Sequence, residues 1–167
     1  MNNLQISQAL DGDDVTKQIF VGVYAADTLP IKEYPGAYIC NTDTSSEPGR
    51  HCFAFFSPRP GILESFDSFG WNPRTYSSHI RNWIDEDELK YSRSVFQTQD
   101  SVVCGNYCIL FILLRSYQVS YDDIVSILTK NKTINDHFVH KFVNKYFNVK
   151  TKLCDREYLL AQLKRNS

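Results

Sequence analysis

The chain has 167 residues, 43% of them hydrophobic and 14% aromatic, which is material for one core and excludes intrinsic disorder. Its formal net charge of -1, from 18 basic and 19 acidic side chains, gives no electrostatic reason for a nucleic acid or an anionic membrane as partner. Five cysteines, with no basic and then apolar leader, point to free thiols in an intracellular compartment and away from a secreted disulfide framework. No apolar run approaches the roughly 20 residues of a membrane span. The expectation is a single intracellular domain over 1–167, monomeric, with no membrane partner.

In chain order, apolar residues at 4, 6, 9 and 10 predict a short helix ending at Gly12. Ile19–Tyr24 and Ala37–Cys40 read as strands, separated by a loop with Pro30 and Pro35. After the polar turn cluster NTDTSSEPGR, His51–Phe56 and Ile62–Phe66 predict a hairpin around SPRPG. A helix is expected over Thr75–Trp83, an exposed acidic turn at DEDE (85–88), and a strand over Tyr91–Phe96. Cys104–Tyr117 is almost continuously apolar and reads as a buried helix. Ser120 with Asp122 and Asp123 caps a helix to about Leu128. Thr133, with Asp136 three residues later, starts another, with Phe138, Phe142, Val143 and Tyr146 on one face. A last helix is expected over Asp155–Leu163. Strands followed by helices suggest an α+β domain with a mostly antiparallel sheet.

Cys104 stands where the apolar helix begins, and the unpaired N–H groups and partial positive charge of a helix start favour a thiolate, the form that attacks a carbonyl. Gly105 leaves room for a substrate backbone. His51, at a strand's edge, suits a general base that is held rigidly yet reaches solvent. Asp67 ends the next strand; in a hairpin the two side chains emerge near one sheet end, where a carboxylate can accept the imidazole N–H. Gln97 and Gln99 precede Cys104, and a side-chain amide can donate to a developing oxyanion. Each residue also has a plainer reading: a core cysteine, a surface histidine, a loop-capping aspartate, a polar loop glutamine. His79, His137 and His140 read as surface histidines. Cys108 lies one turn beyond Cys104 and reads as core packing, like Cys40, Cys52 and Cys154, and no Cys/His cluster has the spacing of a metal site.

The order His, Asp, Gln, Cys and its flanking blocks resemble the adenovirus-type maturation protease family (adenain), nearest to its Polinton/Maverick and virophage-like branch. The resemblance starts at FVGVYAADTLP, runs through YPGAYICNTD, sharpens at PGRHCFAFF and FDSFG, and is strongest at QTQDSVVCGNYCILFI. It covers roughly Ile19–Leu114, and NDHFVHKFVNKYF resembles the C-terminal helices of the mobile-element branch. It implies an α+β papain-like fold, with His51 as base, Asp67 as third triad member, Cys104 as nucleophile and Gln97, seven residues before it, as oxyanion donor. The implied activity is thiol endopeptidase processing of viral or transposon-encoded capsid or core precursors at Gly-containing sites. Alternatives are an isopeptidase for ubiquitin-like modifiers and a catalytically inactive binding module. Cys52 replaces the family's usual Trp, which implies weaker shielding of the His–Asp pair from water. No cysteine lies between Cys52 and Cys104, where the family's peptide-linking cysteine falls. No cofactor is required by the sequence; a peptide or DNA activator is implied by the resemblance alone.

Overall fold

A computed structural model describes residues 2–148 of the chain, so the helix expected over 155–163 and Cys154 lie outside the described residues. The elements run α1 (Asn3–Gly12), β1 (Phe20–Tyr24), β2 (Gly36–Asn41), β3 (Cys52–Arg59), β4 (Ile62–Phe66), α2 (Ser78–Ile84), β5 (Glu88–Tyr91), α3 (Cys104–Ser116), α4 (Tyr121–Ile127) and α5 (Lys132–Asn148). This is an α+β arrangement, with a five-stranded sheet in the order β1-β2-β3-β4-β5 packed against helices.

The sheet is mixed, which corrects the mostly antiparallel expectation. β2–β3 and β3–β4 are antiparallel, whereas β1–β2 and β4–β5 are parallel. Only the central three strands are joined by direct reversals. The segments 25–35 and 67–87 carry the chain back before β2 and β5 begin, so both edge pairs run parallel.

The loose alternation of CFAFF has a physical reason: β3 is covered on both faces. Cys52, Ala54 and Phe56 join the cluster built around α3, while Phe53 and Phe55 join Tyr38, Cys40, Leu63, Ile80 and Ile84 on the other side. A strand buried twice needs apolar residues at every position. For the same reason α3 is apolar all round: Gly105 to Leu114 are all buried, with β3 on one side and α1, α4 and α5 around the rest.

Local signals account for most boundaries. Asn2 and Gln5 form a capping box on α1. Ser120 Oγ accepts from the Asp123 N–H at 3.1 Å and opens α4. Three elements depart from the expectations. The helix expected from Thr75 begins at Ser78, because Ser77 Oγ caps Ile80 N, and a separate 3₁₀ turn, Pro73–Thr75, is capped by Asn72. The strand expected over Tyr91–Phe96 lies instead at Glu88–Tyr91, with alternately exposed and half-buried residues as an edge strand has. The acidic turn therefore ends at Asp87, and Asp87 is not exposed: its carboxylate takes Lys32 Nζ at 2.6 Å. Asn131, not Thr133, caps α5, with Ile134 N donating to its side chain at 3.2 Å.

Candidate active site

His51 sits one residue before β3, and its carbonyl accepts the Thr42 N–H at 2.9 Å, which ties it to the end of β2. The polar loop before it is closed by Asp43, whose carboxylate accepts from the Arg50 backbone at 3.0 Å and the Arg50 side chain at 3.1 Å. Ala54 faces Phe66 across the β3–β4 ladder. Continuing that register places Asp67 opposite Phe53, and therefore diagonal to His51 on the same face. The side chains meet: His51 Nε2 and Asp67 Oδ1 are 3.0 Å apart.

The segment FDSFG holds the carboxylate by its own turn chemistry. Asp67 Oδ1 also accepts the Phe69 N–H at 2.8 Å, and the Gly70 N–H returns to the Asp67 carbonyl at 3.0 Å. Gly70 has φ +69, and a Cβ there would lie 2.6 Å from the Ser94 carbonyl oxygen, so only glycine fits. The second carboxylate oxygen, Oδ2, accepts a short hydrogen bond from the Tyr76 hydroxyl. Phe69 and Tyr76 pack their rings beside the imidazole, with centroids 4.8 and 6.2 Å away. The Asp67 side chain is 2% exposed and that of His51 13%. At the position next to His51 where the resemblance expects Trp there is Cys52, and the rings beside the imidazole are those of Phe69 and Tyr76.

Cys104 is the first residue of α3, and Val103 before it supplies no side-chain cap. The thiol stands near enough to the imidazole for each to shift the other's protonation; Nε2 is engaged by Asp67, which leaves Nδ1 as the free ring nitrogen. The Cys52 sulfur, placed on the α3 side of the sheet by the β3 alternation, is 3.4 Å from Cys104 Sγ. Cys108, one turn along α3, stands 4.0 Å from Cys52 Sγ on the same column.

These contacts set the protonation of the site. Desolvation alone lowers the His51 pKa, but the bond to Asp67 and the nearby Cys104 sulfur outweigh it and hold the imidazolium up at about 9. The neighbouring Cys52 sulfur and burial push the Cys104 thiol up to about 12, against the pull of His51. Asp67 and Cys104 both favour the proton on His51, while the Cys52 sulfur and burial oppose ionisation of the thiol.

Gln97 is buried, and its amide is fixed at both ends: Oε1 accepts from Ser68 Oγ at 2.6 Å and Nε2 donates to the Ser101 carbonyl at 2.8 Å. One Nε2 hydrogen remains beyond that bond. Its backbone N–H donates to the Ser68 carbonyl at 3.1 Å, so the dipeptide Asp67–Ser68 orients the carboxylate and the glutamine together. Gln99 is exposed. Asp136 on α5 anchors the same loop, accepting from Thr98 Oγ1 at 2.6 Å and Tyr107 Oη at 2.9 Å. Sequence reading missed Tyr76, Ser68, Ser101 and Asp136 as supports. The Asp-Ser-Phe-Gly turn was a usable signal for Ser68; Tyr76 had none, since it lies nine positions beyond Asp67 with no strand or α-helix between to set its direction.

His79, His137 and His140 are exposed. No group of three or more His, Cys, Asp or Glu able to hold a metal ion exists among the described residues, and no helix among them is long and apolar enough to cross a membrane. No protein-family model and no curated protein matches the chain.

Proposed function

We propose that the chain is a thiol endopeptidase of the adenain-like, papain-type arrangement, with Cys104 as nucleophile, His51 as base, Asp67 as its orienting carboxylate and Gln97 as oxyanion donor. The observation that carries this reading is one imidazole bonded to a buried carboxylate, with a helix-start thiol near enough to shift its protonation. That is the geometry general-base activation of a thiol needs.

In the proposed cycle, neutral His51 takes the Cys104 proton at Nδ1 while Asp67 holds Nε2–H. The thiolate adds to the scissile carbonyl, and the oxyanion accepts from the Cys104 N–H and the remaining Nε2 hydrogen of Gln97. The His51 imidazolium then protonates the departing amine, and water, deprotonated by the same imidazole, hydrolyses the thioester. Sequence resemblance supports capsid or core precursors of a virus or mobile element as substrates, cut at Gly-containing sites inside a host cell or particle.

The test pairs a peptidyl thiol probe with substrate choice. Labelling of wild type and its loss in Cys104→Ala, with cleavage of capsid precursor and sparing of ubiquitin-like conjugates, is the expected result. Cleavage of the conjugates alone makes the chain an isopeptidase, and no labelling up to pH 9 makes it a binding module.

A further inference from the structure

The mechanism uses one sulfur, yet three stand in a column at the junction of β3 and α3. Cys104 is half-buried at the open end; Cys52 and Cys108 lie behind it, buried. The Cys52 and Cys104 sulfurs are 3.4 Å apart, and a disulfide bond is about 2.05 Å long. Closing that gap takes a sulfur movement on the order of 1 Å, within reach of χ1 adjustments at a strand start and a helix start.

We infer that Cys52 and Cys104 form a reversible oxidative modification site, in which a hydroperoxide converts the nucleophile to a disulfide with Cys52 and so blocks and protects it. The consequence for activity rests on Cys104 being the nucleophile; the chemistry itself does not. Cys104 loses its proton to neutral His51 and the resulting thiolate attacks one peroxide oxygen, so an S–O bond forms, the O–O bond breaks, and the hydroxide that leaves recovers that proton as water. Sulfur is oxidised to the sulfenic acid and the peroxide is reduced. The Cys52 sulfur then attacks Cys104 Sγ, forming S–S and breaking S–O; its proton leaves with the departing oxygen as water. In sum, two thiols and one hydrogen peroxide give one disulfide and two waters. Cys108 packs against Cys52 at 4.0 Å, and the sulfur that stands against Cys104 is that of Cys52. The position that carries Trp in the resembled proteases thus holds a resolving thiol here.

The experiment is a non-reducing peptide map of the full chain after a few equivalents of hydrogen peroxide, with free thiols blocked and cleavage at Tyr107 to separate Cys104 from Cys108. The expected product is an intramolecular Cys52–Cys104 pair that dithiothreitol dissolves, restoring Cys104 alkylation. In Cys52→Ala the same treatment should drive Cys104 to sulfinic acid, which dithiothreitol does not reverse. A Cys52–Cys108 pair, an intermolecular pair, or Cys104 sulfinic acid in wild type would overturn the inference. The wild-type map decides alone and needs no variant to fold. Because its readout is peptide mass, a cross-linked chain without peptidase activity would refute the proposed function and leave this inference standing; the converse result would do the reverse.

Discussion

The proton on His51 is favoured by Asp67 together with Cys104, and Asp67 owes its position to three donors: the imidazole, the Phe69 N–H and the Tyr76 hydroxyl. Removing the last tests whether the carboxylate is tuned or merely present. Tyr76→Phe keeps the ring that shields His51 and deletes one hydrogen bond to a charged group, an interaction of about 1.5–3 kcal/mol. A fall of about 10- to 100-fold in kcat/KM with unchanged KM is expected from steady-state kinetics. The glutamines separate as cleanly. Gln97→Ala should cost about 10²–10³ in kcat, the range for one oxyanion donor. Gln99→Ala, at an exposed side chain, should leave the rate unchanged. A larger loss at Gln99 than at Gln97 would reverse that assignment.

At the scale of elements, α3 is fastened to the sheet by more than apolar contact. Arg115, near its C-terminal end, brings Nε within 2.8 Å of Glu64 Oε2 on β4, with both side chains largely buried. Arg115 also lies over the Phe56 ring at 4.6 Å. Arg115→Met keeps the apolar stem and strands the Glu64 charge, which should cost about 3–5 kcal/mol in urea unfolding. Adding Glu64→Gln should recover much of the loss. Recovery distinguishes an uncompensated charge from lost packing.

At the scale of the whole molecule, the site's protonation couples stability to pH. The His51 pKa rises from 6.5 in the unfolded chain to about 9 in the folded one, so folding takes up that proton more tightly. The stabilisation is complete below pH 6.5 and is lost as pH rises through 9. It amounts to at most about 3–4 kcal/mol, since each tenfold gain in proton affinity is worth roughly 1.4 kcal/mol. Cys104, raised from 9 to about 12, adds in the same direction above pH 9. Urea midpoints should therefore fall between pH 6 and 9 in wild type and much less in His51→Ala. Peptidase activity should run the other way, rising through about pH 9 as His51 becomes a neutral base. A flat activity profile from pH 6 to 9 would mean that the base is uncharged at rest.

The sequence by itself determined whatever depends on near neighbours in the chain. Caps such as Ser120, the length and apolarity of 104–116, and the β-rich runs around 20–24, 36–41 and 52–66 are local, and each produced the expected element. The Cys104 helix start and the His51–Asp67 hairpin placement were legible for that reason. Tertiary structure alone decided three other matters. The parallel direction of β1 and β5 depends on how irregular segments cross, which no periodicity encodes. The ring of Tyr76 and the anchor of Asp136 reach the site across unrelated elements. The meeting of Cys52 with Cys104 needs a strand and a helix 52 residues apart in sequence to share one face, and only packing β3 against α3 brings those two sulfurs together.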